Sequence, residues 1–177
     1  MKFSRPAILS TLTLPALVLG ATLGTAQAQT LVSFSDPKLP FTVSLPKGWL
    51  GVDFKDGTIG VSIVSAKAPP ATLMRLLFVD KAGGKPTPEG EFKKFEAGMT
   101  GTGATVKQTA SRTLKIGALS GLERSYTLTH PKGSLKMRVW YGVGAKNLYS
   151  FQLTDTPARF AAASSTFDKV LASVKFK

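Results

Sequence analysis

His130 is the only histidine among 177 residues, and the chain contains no cysteine. An imidazole can serve as general base, proton shuttle or metal ligand. This one sits in the turn His130-Pro131-Lys132-Gly133, with no acid or serine placed beside it. One nitrogen donor does not make a zinc site, and without thiols there are no Fe–S clusters or cysteine nucleophiles. The spacing favours a solvated turn residue. The ten acids are scattered singly. Asp53 with Asp56 and Glu89 with Glu91 are the close pairs, and both read as turn or helix-start acids, not as the facing carboxylates of a glycosidase. Gly60-Val-Ser-Ile-Val64 lacks the second glycine of a nucleophile elbow. Gly98-Met-Thr-Gly-Thr-Gly103 lacks the Lys-Ser/Thr of a phosphate loop and follows a helix where that loop needs a strand. It reads as a helix stop and link. The sequence therefore offers no catalytic residue, no metal site and no cofactor site.

Binding chemistry is better represented. Lysine and arginine number 23 against ten acids, a formal charge of +13. Such an excess attracts polyanions at long range: nucleic acid, anionic headgroups or acidic envelope polymers. The charges are spread along the chain, with no basic run that would mark a nucleic-acid arm. One local pattern stands out. Period-two alternation puts Lys136, Arg138 and Trp140 on the side of a strand opposite Met137, Val139 and Tyr141. If that side is open, the three form a cationic, aromatic strip suited to an anionic polymer or acidic protein surface. If a helix layer covers it, they are packing and rim. For Trp49, just after a Pro-Lys-Gly turn, the reading is core packing against the terminal helix.

The N-terminal residues point to export. Lys2 and Arg5 precede an apolar stretch, Ala7 to Gly24, and Ala26-Gln27-Ala28 supplies the small-x-small pattern of a signal-peptidase site. Cleavage after Ala28 removes 28 of 177 residues and leaves 149, and with Lys2 and Arg5 gone the charge falls by two to +11. An uncleaved anchor is opposed by Pro15 and five interrupting hydroxyl residues. Residues 29–177 are the length of one domain. With no disulfide available, an exported protein of this size is held by packing and hydrogen bonding alone.

The elements that position these residues follow from periodicity. Phe41 to Leu45 alternates as a half-buried strand. Leu50 to Lys55 and Ile59 to Ala66 flank Asp56-Gly57, a strong hairpin signal. Thr72 to Asp80 reads as a buried strand. Phe92, Phe95 and Met99 change the period to that of a helix over Glu91 to Met99. Arg112 to Ile116, Leu122 to Thr129, Leu135 to Val143 and the strand carrying Tyr149, Phe151 and Leu153 are consecutive antiparallel strands joined by short turns. A closing helix is capped by Thr156 with Pro157 in its first turn. Its apolar stripe is Phe160, Phe167, Val170, Leu171 and Val174. The fold class is α+β, a central antiparallel sheet of about six or seven strands flanked by two helices.

Phe41-Thr-Val-Ser-Leu-Pro-Lys-Gly-Trp49 resembles the F-x-V-x-x-P-x-G-W opening of PsbP-like and DcrB-like proteins. Gly117-Ala-Leu-Ser-Gly-Leu-Glu-Arg-Ser-Tyr126 is similar to their glycine-turn strand. Lys136 to Phe151 resembles their basic-aromatic hairpin, and Phe167 to Phe176 their terminal helix. The resemblance spans nearly all of 29–177 and implies an α/β sandwich that binds macromolecules without a shared catalytic site. Members include an extrinsic lumenal subunit of photosystem II, bacterial envelope proteins and a nuclear-import factor that binds a small GTPase. Likeness of fold does not choose among such roles. The expectation is an exported, non-enzymatic accessory module, periplasmic or extracellular, docking on an envelope protein or anionic polymer through a basic face. Nucleic-acid binding outside the cytoplasm is the alternative, and a hydrolase is third.

Overall fold

The computed structural model describes residues 29–177, so the leader read at 1–28 lies outside the described residues. β1 (Leu31–Phe34) runs antiparallel to β2 (Phe41–Pro46), and β10 (Lys175–Phe176) pairs on the other side of β2. These three make a small sheet that the sequence did not announce. The four residues of β1 are largely exposed and do not alternate, and a two-residue strand after a helix has no periodicity to detect.

The main sheet has seven antiparallel strands in the order β3-β4-β5-β9-β8-β7-β6. They are β3 (Leu50–Gly51), β4 (Ile59–Val64), β5 (Leu73–Asp80), β6 (Thr105–Ile116), β7 (Leu119–His130), β8 (Gly133–Val143) and β9 (Asn147–Asp155). The strand expected over Leu50 to Lys55 shrinks to two residues. Beyond Val52, Asp53 and Asp56 each draw the backbone N–H two residues on to their own carboxylate, at 2.8 and 3.1 Å. Such local bonds compete with a ladder, so Asp56-Gly57 ends a wide loop in place of a tight hairpin. β6 is longer than the expected Arg112 to Ile116. It is an edge strand whose first half, Thr105 to Ser111, is almost wholly polar and exposed, and its register shifts between Gln108 and Ala110. Alternation is absent where neither face is sealed.

Two helices cover opposite faces. α1 (Pro88–Gly101) is capped by Thr87, whose Oγ1 accepts from the Gly90 N–H at 3.1 Å, and Glu89 and Glu91 occupy its positive first turn. It packs Phe92, Phe95 and Met99 on Tyr126, Met137, Val139, Tyr141 and Leu148. α2 (Phe160–Ala172), with the small sheet, seals the other face over Phe41, Met74, Leu76, Trp140, Phe151 and Phe167. β8 is thus buried on both sides, which is why Met137 to Gly142 carry no exposed residue. The architecture is an α+β sandwich, as the periodicity indicated.

The cap expected at Thr156 is not the one observed. α2 starts after Arg159, with no side-chain cap. The N–H of Thr156 is drawn to Asp155 Oδ1 at 2.7 Å, and Arg159 folds back to the same oxygen at 2.7 Å, so Thr156 to Arg159 form a turn ahead of the helix. At the other end Ser173 Oγ accepts from the Ser44 N–H at 2.8 Å and donates to the Val170 carbonyl at 2.6 Å, tying α2 to β2.

Candidate functional site

The proposed strip is covered. Trp140 has no solvent-exposed surface; its Nε1 donates to the Leu114 carbonyl at 2.9 Å and its ring stacks on Phe151. The indole lies across two cross-strand partners, Gly121 and Gly142, where any side chain would collide with it. Arg138 is 6% exposed and its Nη2 donates to Glu123 and Asp168, both at 2.7 Å. Glu123, itself buried, also receives Arg112 at 2.9 Å. Lys136 is half-buried, with Nζ 5.8 Å from the Phe160 ring centre. The second of the two alternatives therefore holds for exposure: α2 closes this side, and Lys136, Arg138 and Trp140 fasten the helix to the sheet.

The other residues weighed for chemistry stay apart. His130 lies at the β7–β8 hairpin, where its Nδ1 accepts from the Lys132 N–H at 3.2 Å. Asp53 and Asp56 belong to the loop before β4. Hydrogen bonds from Thr58, then the guanidinium of Arg75, hold the Asp56 carboxyl down at about 2. Glu91 is paired with Lys94 at 2.7 Å. Trp49 is half-buried against the core, in a cleft beside Ala162 and Ala163 of α2. Among the described residues no group of three His, Asp or Glu side chains is placed to hold a metal ion.

A division between the two basic residue types emerges instead. Each of the five arginines between 29 and 177 is ion-paired: Arg75 with Asp56, Arg112 and Arg138 with Glu123, Arg124 with Glu96, Arg159 with Asp155. Of the sixteen lysines in the same span, only Lys94 is. The planar guanidinium suits fixed, bidentate or stacked partners, whereas an ammonium remains a hydrated point charge. Surplus charge therefore lies on lysine, at the surface.

Lysines converge at one place. α1 packs mainly on β6, β7 and β8, with Leu148 of β9 at its margin, and Ile59 of β4 and Val79 of β5 stay exposed. There a hollow of about 360 Å³ is lined by Ile59, Leu77, Val79, Tyr141 and Leu148, with Ser150 and Gln152. Burial pushes the Tyr141 hydroxyl up, so it stays protonated. A second hollow of about 460 Å³ shares Val79, Glu91 and Leu148 with the first and adds Lys81, Lys85 and Lys94. A third, about 410 Å³, lies between Lys81, Lys85 and Lys146, with Asp80 among them. The β5–β9 register, Asp80 opposite Asn147, brings the two lysine-bearing turns together, and the Lys81 N–H donates to the Lys146 carbonyl at 3.0 Å. Sequence reasoning missed these lysines. Their one signal was that each flanks a glycine turn, Gly83-Gly84 or Gly144-Ala145, and nothing local says that those turns meet.

This geometry offers a cationic mouth and an apolar floor. The fold is that of the PsbP-like sandwiches. Cyanobacterial PsbP (CyanoP) from Synechocystis is similar over 90% of this chain and 99% of its own, with a TM-score of 0.64 at 18% identity. LpqN of Mycobacterium tuberculosis, described as involved in cell envelope biogenesis, matches 84% of this chain and 90% of its own, with a TM-score of 0.54 at 12% identity. A protein of Bacteroides thetaiotaomicron matches 82% of this chain and 48% of its own, with a TM-score of 0.57 at 13% identity. No protein-family model matches the sequence, and no curated protein does. No helix among the described residues is long and apolar enough to cross a membrane.

Proposed function

We propose that this is an exported, non-enzymatic accessory module that binds an anionic polymer of the cell envelope through the lysines at the groove mouth. One observation carries it: the arginines are engaged within the fold, while Lys81, Lys85 and Lys146 gather around the single carboxylate of Asp80, ion-paired with none of them, and leave a local excess of positive charge. The description of LpqN as involved in cell envelope biogenesis supports it, as does the leader read at residues 1–28. Lys136, Arg138 and Trp140 act in this reading only by holding α2.

The test is binding of the purified exported protein to polyglutamate, and to a DNA duplex in parallel, at roughly 50 and 200 mM salt. Replacing Lys81, Lys85 and Lys146 together by Ala lowers polyglutamate affinity about tenfold, and replacing Lys38, Lys107 and Lys132 changes it far less. Equal losses from the two sets would show diffuse charge and end the proposal. Tighter binding to DNA than to polyglutamate would favour the nucleic-acid alternative. N-terminal sequencing of the exported product should begin at Gln29.

A further inference from the structure

The groove has two chemically different ends, and they are continuous. Val79, Glu91 and Leu148 border both the apolar hollow and the lysine-lined one. At the apolar end the floor is Leu77, Tyr141 and Leu148. Two of the most exposed large apolar side chains of the described residues, Ile59 at 57% and Val79 at 52%, stand at its rim. Thr58, Glu91, Tyr141, Ser150 and Gln152 are the polar side chains along it, and Gln152 Nε2 already donates to Ser150 Oγ at 2.8 Å. At the other end stand Lys81 and Lys85. Two acids border this end: Glu91 is neutralised by Lys94 at 2.7 Å, and Asp80, which accepts from the Ala82 N–H at 2.7 Å, is outnumbered by Lys81, Lys85 and Lys94.

A hydrated polymer such as polyglutamate meets the lysines and leaves the apolar end wet. That end is a loss unless hydrocarbon covers it. A ligand with an anionic head and one hydrocarbon tail satisfies both ends at once, and each hollow falls within the size range of small-molecule sites. We infer that the groove takes a monomeric, single-chain anionic amphiphile of the long-chain carboxylate type. The head sits against Lys81 and Lys85, and the tail runs between Ile59, Val79 and Leu148 under the first turn of α1. This rests on the anion-binding reading above and names the ligand class of that same site.

The experiment is calorimetric titration of the exported protein with octanoate, decanoate and dodecanoate, each below its micelle concentration, with acetate as the headgroup alone. Affinity should rise roughly threefold to fourfold for each added methylene, as burial of hydrocarbon requires. Ile59→Gln with Val79→Gln, both at exposed positions that leave the core intact and the charge unchanged, should lower dodecanoate affinity at least tenfold while polyglutamate binding is unchanged. Lys81→Ala with Lys85→Ala should weaken dodecanoate but not dodecyl alcohol. Affinity independent of chain length, or unmoved by the two glutamines, overturns the inference and leaves the lysine reading standing. Binding to phosphatidylglycerol vesicles without binding monomeric dodecanoate overturns it too, because the site is then a surface for bilayers. If dodecanoate behaves as described while the lysine triple fails to alter polyglutamate binding, the amphiphile site stands and the polymer reading falls.

Discussion

The ring of Trp140 occupies the space that a side chain on Gly142 needs: a Cβ built there meets Cη2 at 2.1 Å. Gly121, opposite Gly142 on β7, is blocked as well, by the Tyr141 carbonyl at 2.3 Å and the indole at 2.5 Å. The two glycines are a slot for one indole, with the Leu114 carbonyl as its polar end.

Gly142→Ala should therefore destabilise the protein by about 3 kcal/mol, the upper part of the range for overpacking a core. Trp140→Leu removes the obstruction at the cost of a cavity. The double variant should lose at least about 1 kcal/mol less than the sum of the two, because the residues share one space. Urea unfolding of the four proteins measures this, and strict additivity would refute the slot.

Arg138→Ala leaves Glu123, 3% exposed, without its buried partner. Arg112 still reaches Glu123 Oε1 at 2.9 Å, so the expected loss is about 3 kcal/mol, the low end for breaking a buried pair. Pairing Arg138→Met with Glu123→Gln removes both charges and should recover most of it. Polyglutamate binding of that double variant, measured where it is folded, should equal the parent's, since α2 covers the guanidinium.

Asp155 predicts an acid limb. Burial raises its carboxyl, but hydrogen bonds from Thr72, from Arg159 and from the Thr156 N–H outweigh that and hold it below the usual carboxylate range. A depressed folded value means that the stabilisation is complete above the unfolded value of about 4 and is lost as pH falls through the folded value. Asp155→Asn should be less stable than the parent at neutral pH, with the gap closing below about pH 4. A gap that stays constant from neutral pH down to about pH 2 would refute the assignment.

Tyr126 donates its hydroxyl to Glu96 at 2.7 Å, and burial with that carboxylate keeps the proton on far above the ordinary range. Alkaline absorbance titration up to about pH 11, an ordinary tyrosine's upper range, should give the same phenolate amplitude for Tyr126→Phe as for the parent. A lost titration step would show that the bond is not formed.

Alternation made much of this legible. The stripe of α2 and the inward set of β9 are where Phe167, Val170, Phe151 and Leu153 say they should be, because one face of each must find a core. Alternation does not say whether the second face is covered as well. Lys136-Met-Arg-Val-Trp140 looks amphipathic, yet both its faces are packed, and the clue was the unusual Gly121 and Gly142 flanking a tryptophan. The start of α2 escaped for a local reason: Asp155 outcompetes Thr156 for the turn. The groove escaped for a topological one. Lys81 and Lys146 meet only because β5 pairs with β9, and that pairing joins distant segments without a local signal.

The partition of arginine from lysine separates charge that can vary from charge that cannot. Exposed lysines can be exchanged, gained or lost over generations with little strain on the scaffold, so descendants of this protein can be retuned for differently charged surroundings. Substituting lysine for Arg138 or Arg159 has no such freedom, because a forked donor that meets two acceptors at once has no ammonium equivalent.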